Sequence, residues 1–274
     1  MKFKTKDNIL QYVILIIASF IALYPFYWLL VGVTLTNSEI FGLPPKLTFG
    51  SNFFINYNNL VNKEPIWQTF KNSLFISGTY TILTVYISGL TGYAFAKFNF
   101  KGKNILFGLI LMSMMLPLQV TLIPLFKISI KLGWVNSAKA IIIPALANIF
   151  GVFFMKQNMM SVPDEIIESG RVDGANEIRI FHQLVLPIQL PAIAALGILS
   201  FINQWGNFLW PLIILNNKDY TTLPVLISTI VEAKPADYGQ VFVAILISIT
   251  PVIIVFLSLQ KYFISGIYGG SVKG

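Results

Sequence analysis

The most polar stretch of this chain is E-S-G-R-V-D-G-A-N-E-I-R-I-F-H-Q-L-V-L-P-I-Q-L-P, residues 168–191. It gathers Glu168, Arg171, Asp173, Glu177, Arg179 and His182, the only histidine, and closes on two prolines four positions apart. Such residues suit docking by charge and shape better than bond-making. A metal or acid–base site relying on histidine would have only His182 to use, and the absence of cysteine removes thiolate nucleophiles, thiolate metal sites and disulfides. A second group, Asn203, Gln204, Trp205 and Asn207, sets amides beside an indole in an apolar run. Amides can bond the hydroxyls of a sugar-like ligand while an indole face underlies its ring. The alternative is an interfacial aromatic belt with amides bridging helices. Pro117 and Gln119 in M-M-L-P-L-Q-V mark either a flexible gate or a plain proline kink.

These groups must be held by something, and composition says what. The 274 residues are 55% hydrophobic and only 11% charged, with a mean hydropathy of +0.73. Soluble domains carry about a quarter charged residues, so the chain reads as a membrane protein. At roughly 20 apolar residues per crossing it has room for about six crossings. Strand-length alternation is absent, which predicts an all-α fold rather than a barrel. Helices are expected at about 9–35, 70–96, 105–126, 140–155, 187–209 and 238–262, in a single membrane domain covering residues 1–274. Residues 37–66 and 216–237 read as loops rich in turn-formers. The first span exceeds a signal-peptide core and shows no clear cleavage site.

A net charge of +8 is scattered between apolar spans, without a basic face or a nucleic-acid motif, so it reads as membrane orientation. With the amino terminus inside, Lys2, Lys4, Lys6, Lys97, Lys101, Lys103, Lys156, Arg171, Arg179, Lys261 and Lys273 place a slight majority of the basic residues inside. Both termini are then cytoplasmic. No internal repeat of the secondary-transporter kind stands out.

The polar loop itself, about residues 159–190, reads as two short helices. Ser161 in S-V-P-D offers an N-cap with an acid three residues on, and Asp164 and Glu165 suit the positive end of a helix. Ile166, Ile167 and Gly170 fall on one side. Asp173–Gly174 is a turn signal, and glycine accepts the positive φ of a sharp reversal. A second helix from near Ala175 would align Ile178, Phe181 and Val185, with Pro187 where the chain re-enters the bilayer. Two readings stand: a solvated loop on the headgroups, or a shaped knob seated in a partner's groove.

The same residues, Glu168 to Pro191, resemble the E-A-A-x-x-x-G-x(9)-I-x-L-P loop of ABC-transporter permeases. Glu168 and Gly174 take the acid and glycine positions, and Leu186–Pro187 supplies the closing pair. Ser169 and Gly170 replace the two alanines. F-L-W-P-L-I-I-L-N-N-K-D-Y-T-T-L-P-V-L-I-S and the ending Q-K-Y-F-I-S-G-I-Y-G-G-S-V-K-G are similar to the carbohydrate-uptake branch, on the side of the maltose transporter's G-type permease. The resemblance implies a type I, MetI-like importer permease in a bacterial plasma membrane. It implies as partners a second homologous permease, two cytosolic ATPases and an extracellular solute-binding protein. Glu168, Ser169, Gly170, Asp173, Gly174, Ala175, Leu186 and Pro187 would couple to the ATPases. The chain lacks a G-x-x-x-x-G-K-[ST] loop, so ATP and magnesium are expected on those partners, with no cofactor and no catalysis here. The implied cargo is a sugar; a phosphorylated polyol, or a secondary transporter working alone, are the alternatives. The 216–237 loop would reach toward the binding protein, and the glycine-rich tail would run between the ATPases.

Overall fold

A computed structural model describes residues 5–269, so the tail proposed to run between ATPases lies partly outside the described residues at 270–274. The described residues form helices and no strands. In chain order these are α1 (Thr5–Gly32), α2 (Asn37–Ile40), α3 (Phe53–Lys63), α4 (Ile66–Lys97), α5 (Lys103–Ser113), α6 (Leu118–Lys131), α7 (Ala138–Ala145) and α8 (Ile149–Met159). There follow α9 (Asp164–Val172), α10 (Glu177–Ile180), a π-helical turn (Phe181–Val185), α11 (Leu186–Ile188), α12 (Leu190–Trp205), α13 (Leu209–Ile214), α14 (Leu223–Glu232) and α15 (Tyr238–Gly269).

Gln11–Gly32, Ile66–Lys97 and Tyr238–Lys261 are long and apolar enough to cross a bilayer without interruption. Two bent pairs pass the same length-and-composition test only when taken together, α7 with α8 at 42° and Glu177–Ile188 with α12 at 83°. The expected continuous helix over 105–126 is two helices instead. Pro117 sits extended at φ −68°, ψ 141° ahead of α6 and donates no backbone N–H, so α5 stops short of it. At 1.5 Å per residue neither piece reaches across the roughly 30 Å of hydrocarbon alone. The helix expected over 140–155 breaks after Pro144, and Asn148 restarts it by accepting the Gly151 N–H at 2.7 Å. The two stretches read as loops hold helices, α2 and α3 in the first and α14 in the second. In α14 an apolar run after Pro224 outweighs the turn signals on either side.

The chain divides into two compact units. The first comprises residues 1–67 and 226–250. Side chains 11–27 of α1 are all exposed although mostly apolar, the pattern of a helix whose solvent is lipid. Beyond it Val31, Leu35 and Ile40 pack with Trp28, Tyr238 and Phe242. Asn37 joins the two segments, accepting from Tyr238 N at 2.8 Å and donating to Ala236 O at 3.0 Å. Thr36 and Glu39 form a reciprocal cap on α2, and Lys46, 2.6 Å from Glu39, helps pull that carboxyl down to about 2.

The second unit comprises residues 68–225 and 251–274. Its core has one cluster around Tyr93, Met155, Ile180, Phe181 and Leu196, and another around Tyr80, Ile141, Trp210 and Ile214. Helices approach closely where α4 carries Gly92: a Cβ there would lie 2.7 Å from Met155 Cβ and from Lys156 N. The Trp210 indole donates to Ala140 O at 2.9 Å and ties α13 to α7.

Candidate functional site: a two-helix knob and a nearby cavity

The knob begins one step later than its sequence suggests. Pro163, extended at φ −60°, ψ 135°, stands at the N-cap, and the Ser161 hydroxyl donates backwards to Asn158 O at 2.7 Å instead of capping α9. Asp164 and Glu165 still occupy the first turn, where the helix dipole favours them. The chain reverses after Asp173 through Gly174 at φ +77°, a left-handed geometry that costs other residues strain. Asn176 then caps α10, its side-chain oxygen accepting the Arg179 N–H at 2.8 Å.

Ile167 and Gly170 of α9 turn inward with Ile180, Phe181 and Val185. The expected stripe of Ile178, Phe181 and Val185 needs correction, because Ile178 is 67% exposed and Ile180 is buried in its place. The π turn over Phe181–Val185 is the cause: its wider period puts Phe181 and Val185 on one inner face, next to Ile180. Gly170 faces this interior closely: a Cβ there would lie 2.9 Å from Leu184 Cδ1, the end of a side chain that can shift. Ala175 and Leu186 pack half-buried against the same cluster.

Across the turn, Arg171 Nε donates to Glu177 Oε1 at 2.7 Å, and Tyr93 OH of α4 donates to Glu177 Oε2 at 3.1 Å. The Arg171 bond holds the Glu177 carboxyl below its usual range, against partial burial, and holds the Arg171 guanidinium further up. Lys97, the last residue of α4, donates to Asp164 Oδ1 at 2.7 Å and to Val162 O at 2.5 Å. The sequence pattern marks Lys97 only as one of the inner basic residues and does not point to Tyr93. Their i, i+4 spacing at a helix end next to a polar loop was the available signal. His182 Nδ1 donates to Ile178 O at 2.7 Å, and its Nε2 lies 3.3 Å from Tyr86 OH. Among the described residues no group of three or more metal-ligating side chains assembles.

The outer surface carries Glu165, Glu168, Ser169 and Asp173 with the apolar tips Val172, 86% exposed, and Ile178. Ser169 also bonds its own helix at Ile166 O, 2.9 Å away. Pro187 is exposed in α11, just ahead of the 83° bend into α12. The surface therefore combines acids, small residues and two apolar points on a braced frame, which suits a groove in another protein.

A cavity of about 790 Å³ lies within the same unit. Thr91, Ser113, Thr121, Asn148, Asn207 and Trp210 line it among aliphatic side chains, and no lining residue is ionisable. The members of the N-Q-W-G-N group do not share one cavity lining. Asn207 reaches the cavity wall, Asn203 is exposed elsewhere, and Gln204 is buried away from it. Trp205 stacks on Phe201 with centroids 5.5 Å apart and meets Phe70 edge-on at 6.0 Å. Pro117 and Gln119 are exposed at the α5–α6 break, while their neighbours Leu116 and Thr121 line the cavity. Thr91, Ser113, Thr121 and Asn148 were not anticipated, because hydroxyls scattered over separate helices carry no local pattern.

Comparison with known proteins places this geometry. Residues 88–267 match the model of the binding-protein-dependent transport system inner membrane component family. The chain is 38% identical over 259 residues to the arabinooligosaccharides transport system permease protein AraQ of Bacillus subtilis (strain 168), covering 93% of this chain and 92% of that one. It is 33% identical to the lactose transport system permease protein LacG of Rhizobium radiobacter, covering 97% and 96%. It is 29% identical to the sn-glycerol-3-phosphate transport system permease protein UgpE of Salmonella typhi, covering 95% of each. The fold matches a bacterial ABC transporter involved in the import of the acidic polysaccharide alginate at a TM-score of 0.83, with 22% identity over 96% of this chain and 99% of that one.

Proposed function

The chain belongs to the family of binding-protein-dependent transport system inner membrane components, and we propose that it serves as a sugar-importing permease subunit driven by separate ATPases. Residues 1–274 act as one permease domain in a bacterial cell membrane, with both termini cytoplasmic. A second, homologous permease completes the path, two ATPases bind below with ATP and magnesium, and an extracellular binding protein delivers the solute. This chain binds no cofactor and catalyses no reaction itself.

The observation that carries the reading is the braced two-helix knob, with Gly174 at its turn and Glu168 on its open face. A knob that holds this shape by itself docks at a low ordering cost. The sugar cargo rests on relatives such as AraQ and LacG and on the cavity, whose hydroxyls and amides suit a neutral polyhydroxyl solute. UgpE favours a phosphorylated polyol as the second reading, but the lining offers no cation to meet a phosphate.

Detergent extraction followed by affinity capture tests the assembly. The unmutated chain should bring down an ATPase, and Glu168→Lys or Gly174→Asp should lose both the ATPase and solute uptake. Full uptake by both variants would sink the docking role. Growth of a deletion strain on arabino-oligosaccharides, lactose and glycerol 3-phosphate separates the cargoes.

A further inference from the structure

We propose that Lys97 is a positioning residue that makes α4 the rigid lever between the knob and the cavity wall. This rests on the knob's docking an ATPase, and extends it to how movement of the knob reaches the transport path.

The Lys97 side chain is only 7% exposed, although it carries an ammonium. A buried ammonium needs partners, and it has two, both at the start of the knob: Val162 O and Asp164 Oδ1. Dipoles reinforce the pair, since Lys97 ends α4 and Asp164 begins α9. One turn earlier on the same face, Tyr93 bonds Glu177, the first residue of α10, and its ring packs on Phe181 at 5.4 Å. The final turns of α4 thus grip both helices of the knob at their first residues.

The covalent route into α12 is built differently. It runs through the π turn, a three-residue helix and an 83° bend at Gln189. Gln189 anchors that elbow by donating to Asn158 O at 3.1 Å, but the regular hydrogen-bond ladder is interrupted. By contrast α4 continues unbroken from Lys97 to Thr91 and Ile87, which line the cavity. At 1.5 Å per residue Thr91 lies about 9 Å along the axis from Lys97. A push on the knob reaches the wall through a gripped, continuous helix, while the joint with α12 flexes.

This chain has no native cysteine, so paired cysteines are its only labelling sites once cysteines of the partner subunits have been replaced. Leu83 on α4, Leu199 on α12 and Glu165 on α9 are all exposed. Distances for the pairs L83C/E165C and L199C/E165C are measured by double electron–electron resonance in the full transporter, purified with its ATPases, nucleotide-free and vanadate-trapped. The 83–165 distance should stay fixed between the states while the 199–165 distance shifts. Lys97→Met should let the 83–165 distance shift too, and Lys97→Arg should restore it. The lever is overturned if the unmutated 83–165 distance shifts as far as 199–165, if neither distance shifts, or if Lys97→Met leaves 83–165 fixed. Should Lys97→Met not accumulate, Asp164→Asn removes the ion pair from its 75%-exposed side and is read the same way. If the unmutated chain captures no ATPase, the docking reading falls and the lever with it; a captured ATPase with an adverse distance result removes the lever alone.

Discussion

Arg171 and Glu177 meet at 2.7 Å across the Asp173–Gly174 turn, so the two helices of the knob are closed on each other by a charged bond. Both side chains are about two-fifths exposed, which limits the pair to roughly 0.5 kcal/mol in water and salt. Because Glu177 is held below its ordinary 4.5, its contribution is complete above that value and is lost as pH falls through the lower folded value. Amide hydrogen exchange around residues 171–177 should therefore be constant from pH 8 to about 5 once corrected for intrinsic rates, then accelerate in more acid solution. Glu177→Gln should remove that acid-side change and leave a slightly faster exchange throughout. A Glu177→Gln profile identical to the unmutated one would mean that the bond contributes nothing.

Gly174 has open space around its absent side chain, so substitution there is governed by backbone conformation rather than by collision. At φ +77° an alanine costs about 1–2 kcal/mol, and asparagine less because it tolerates the left-handed region. Protease nicking between α9 and α10 should rise in the order Gly174, Gly174→Asn, Gly174→Ala. ATPase capture should fall in the same order. If Gly174→Ala were as resistant and as competent as the native chain, the turn would not be setting the knob's shape.

Gly170 presents the opposite case, an ordinary helical position with little room. Alanine gains up to about 1 kcal/mol of helix propensity and meets the mobile end of Leu184, which can shift. Ile180 also stands close, with Cγ1 at 3.1 Å from the added carbon. Gly170→Ala should accumulate and transport like the native chain, whereas Gly170→Val should cost about 1–3 kcal/mol by overpacking and lose ATPase capture. Equal capture by both variants would show that α9 can move off α10 freely.

The knob was legible in the sequence because its signals are local. The acid-rich first turn, the Asp-Gly reversal and the charge concentration lie within one short stretch, and the helices there follow from them. The misplacements were local too. Ser161 has a better acceptor behind it in Asn158 O, and the π turn rotates Ile178 outward where a regular helical period would have kept it in line. What could not be read was tertiary. Lys97 and Tyr93 matter through partners 67 and 84 residues away. The cavity is assembled from separate helices, including two breaks whose positions depend on Pro117 and Asn148. The amide–indole run left open a sugar site or an interfacial belt with bridging amides, and helical geometry sends its members to different surroundings.

That separation makes a direct test of which polar groups face the solute. Asn207 lines the cavity, Asn203 is exposed outside it, and Trp210 lines it while bonding Ala140 O. If a sugar hydroxyl meets Asn207, Asn207→Ala should weaken transport by about 1–3 kcal/mol in apparent affinity, with ATPase capture and melting temperature unchanged. Asn203→Ala should leave transport unchanged. Trp210→Phe removes the donor from a buried carbonyl, so it should lower thermal stability by about 1–3 kcal/mol as well as disturb the wall. Solute uptake measured against concentration, beside fluorescence-monitored melting of the purified complex, separates the three. A loss of uptake in Asn203→Ala equal to that in Asn207→Ala would move the solute path away from this cavity. A Trp210→Phe protein that melts like the native one would mean that the Ala140 carbonyl finds another donor.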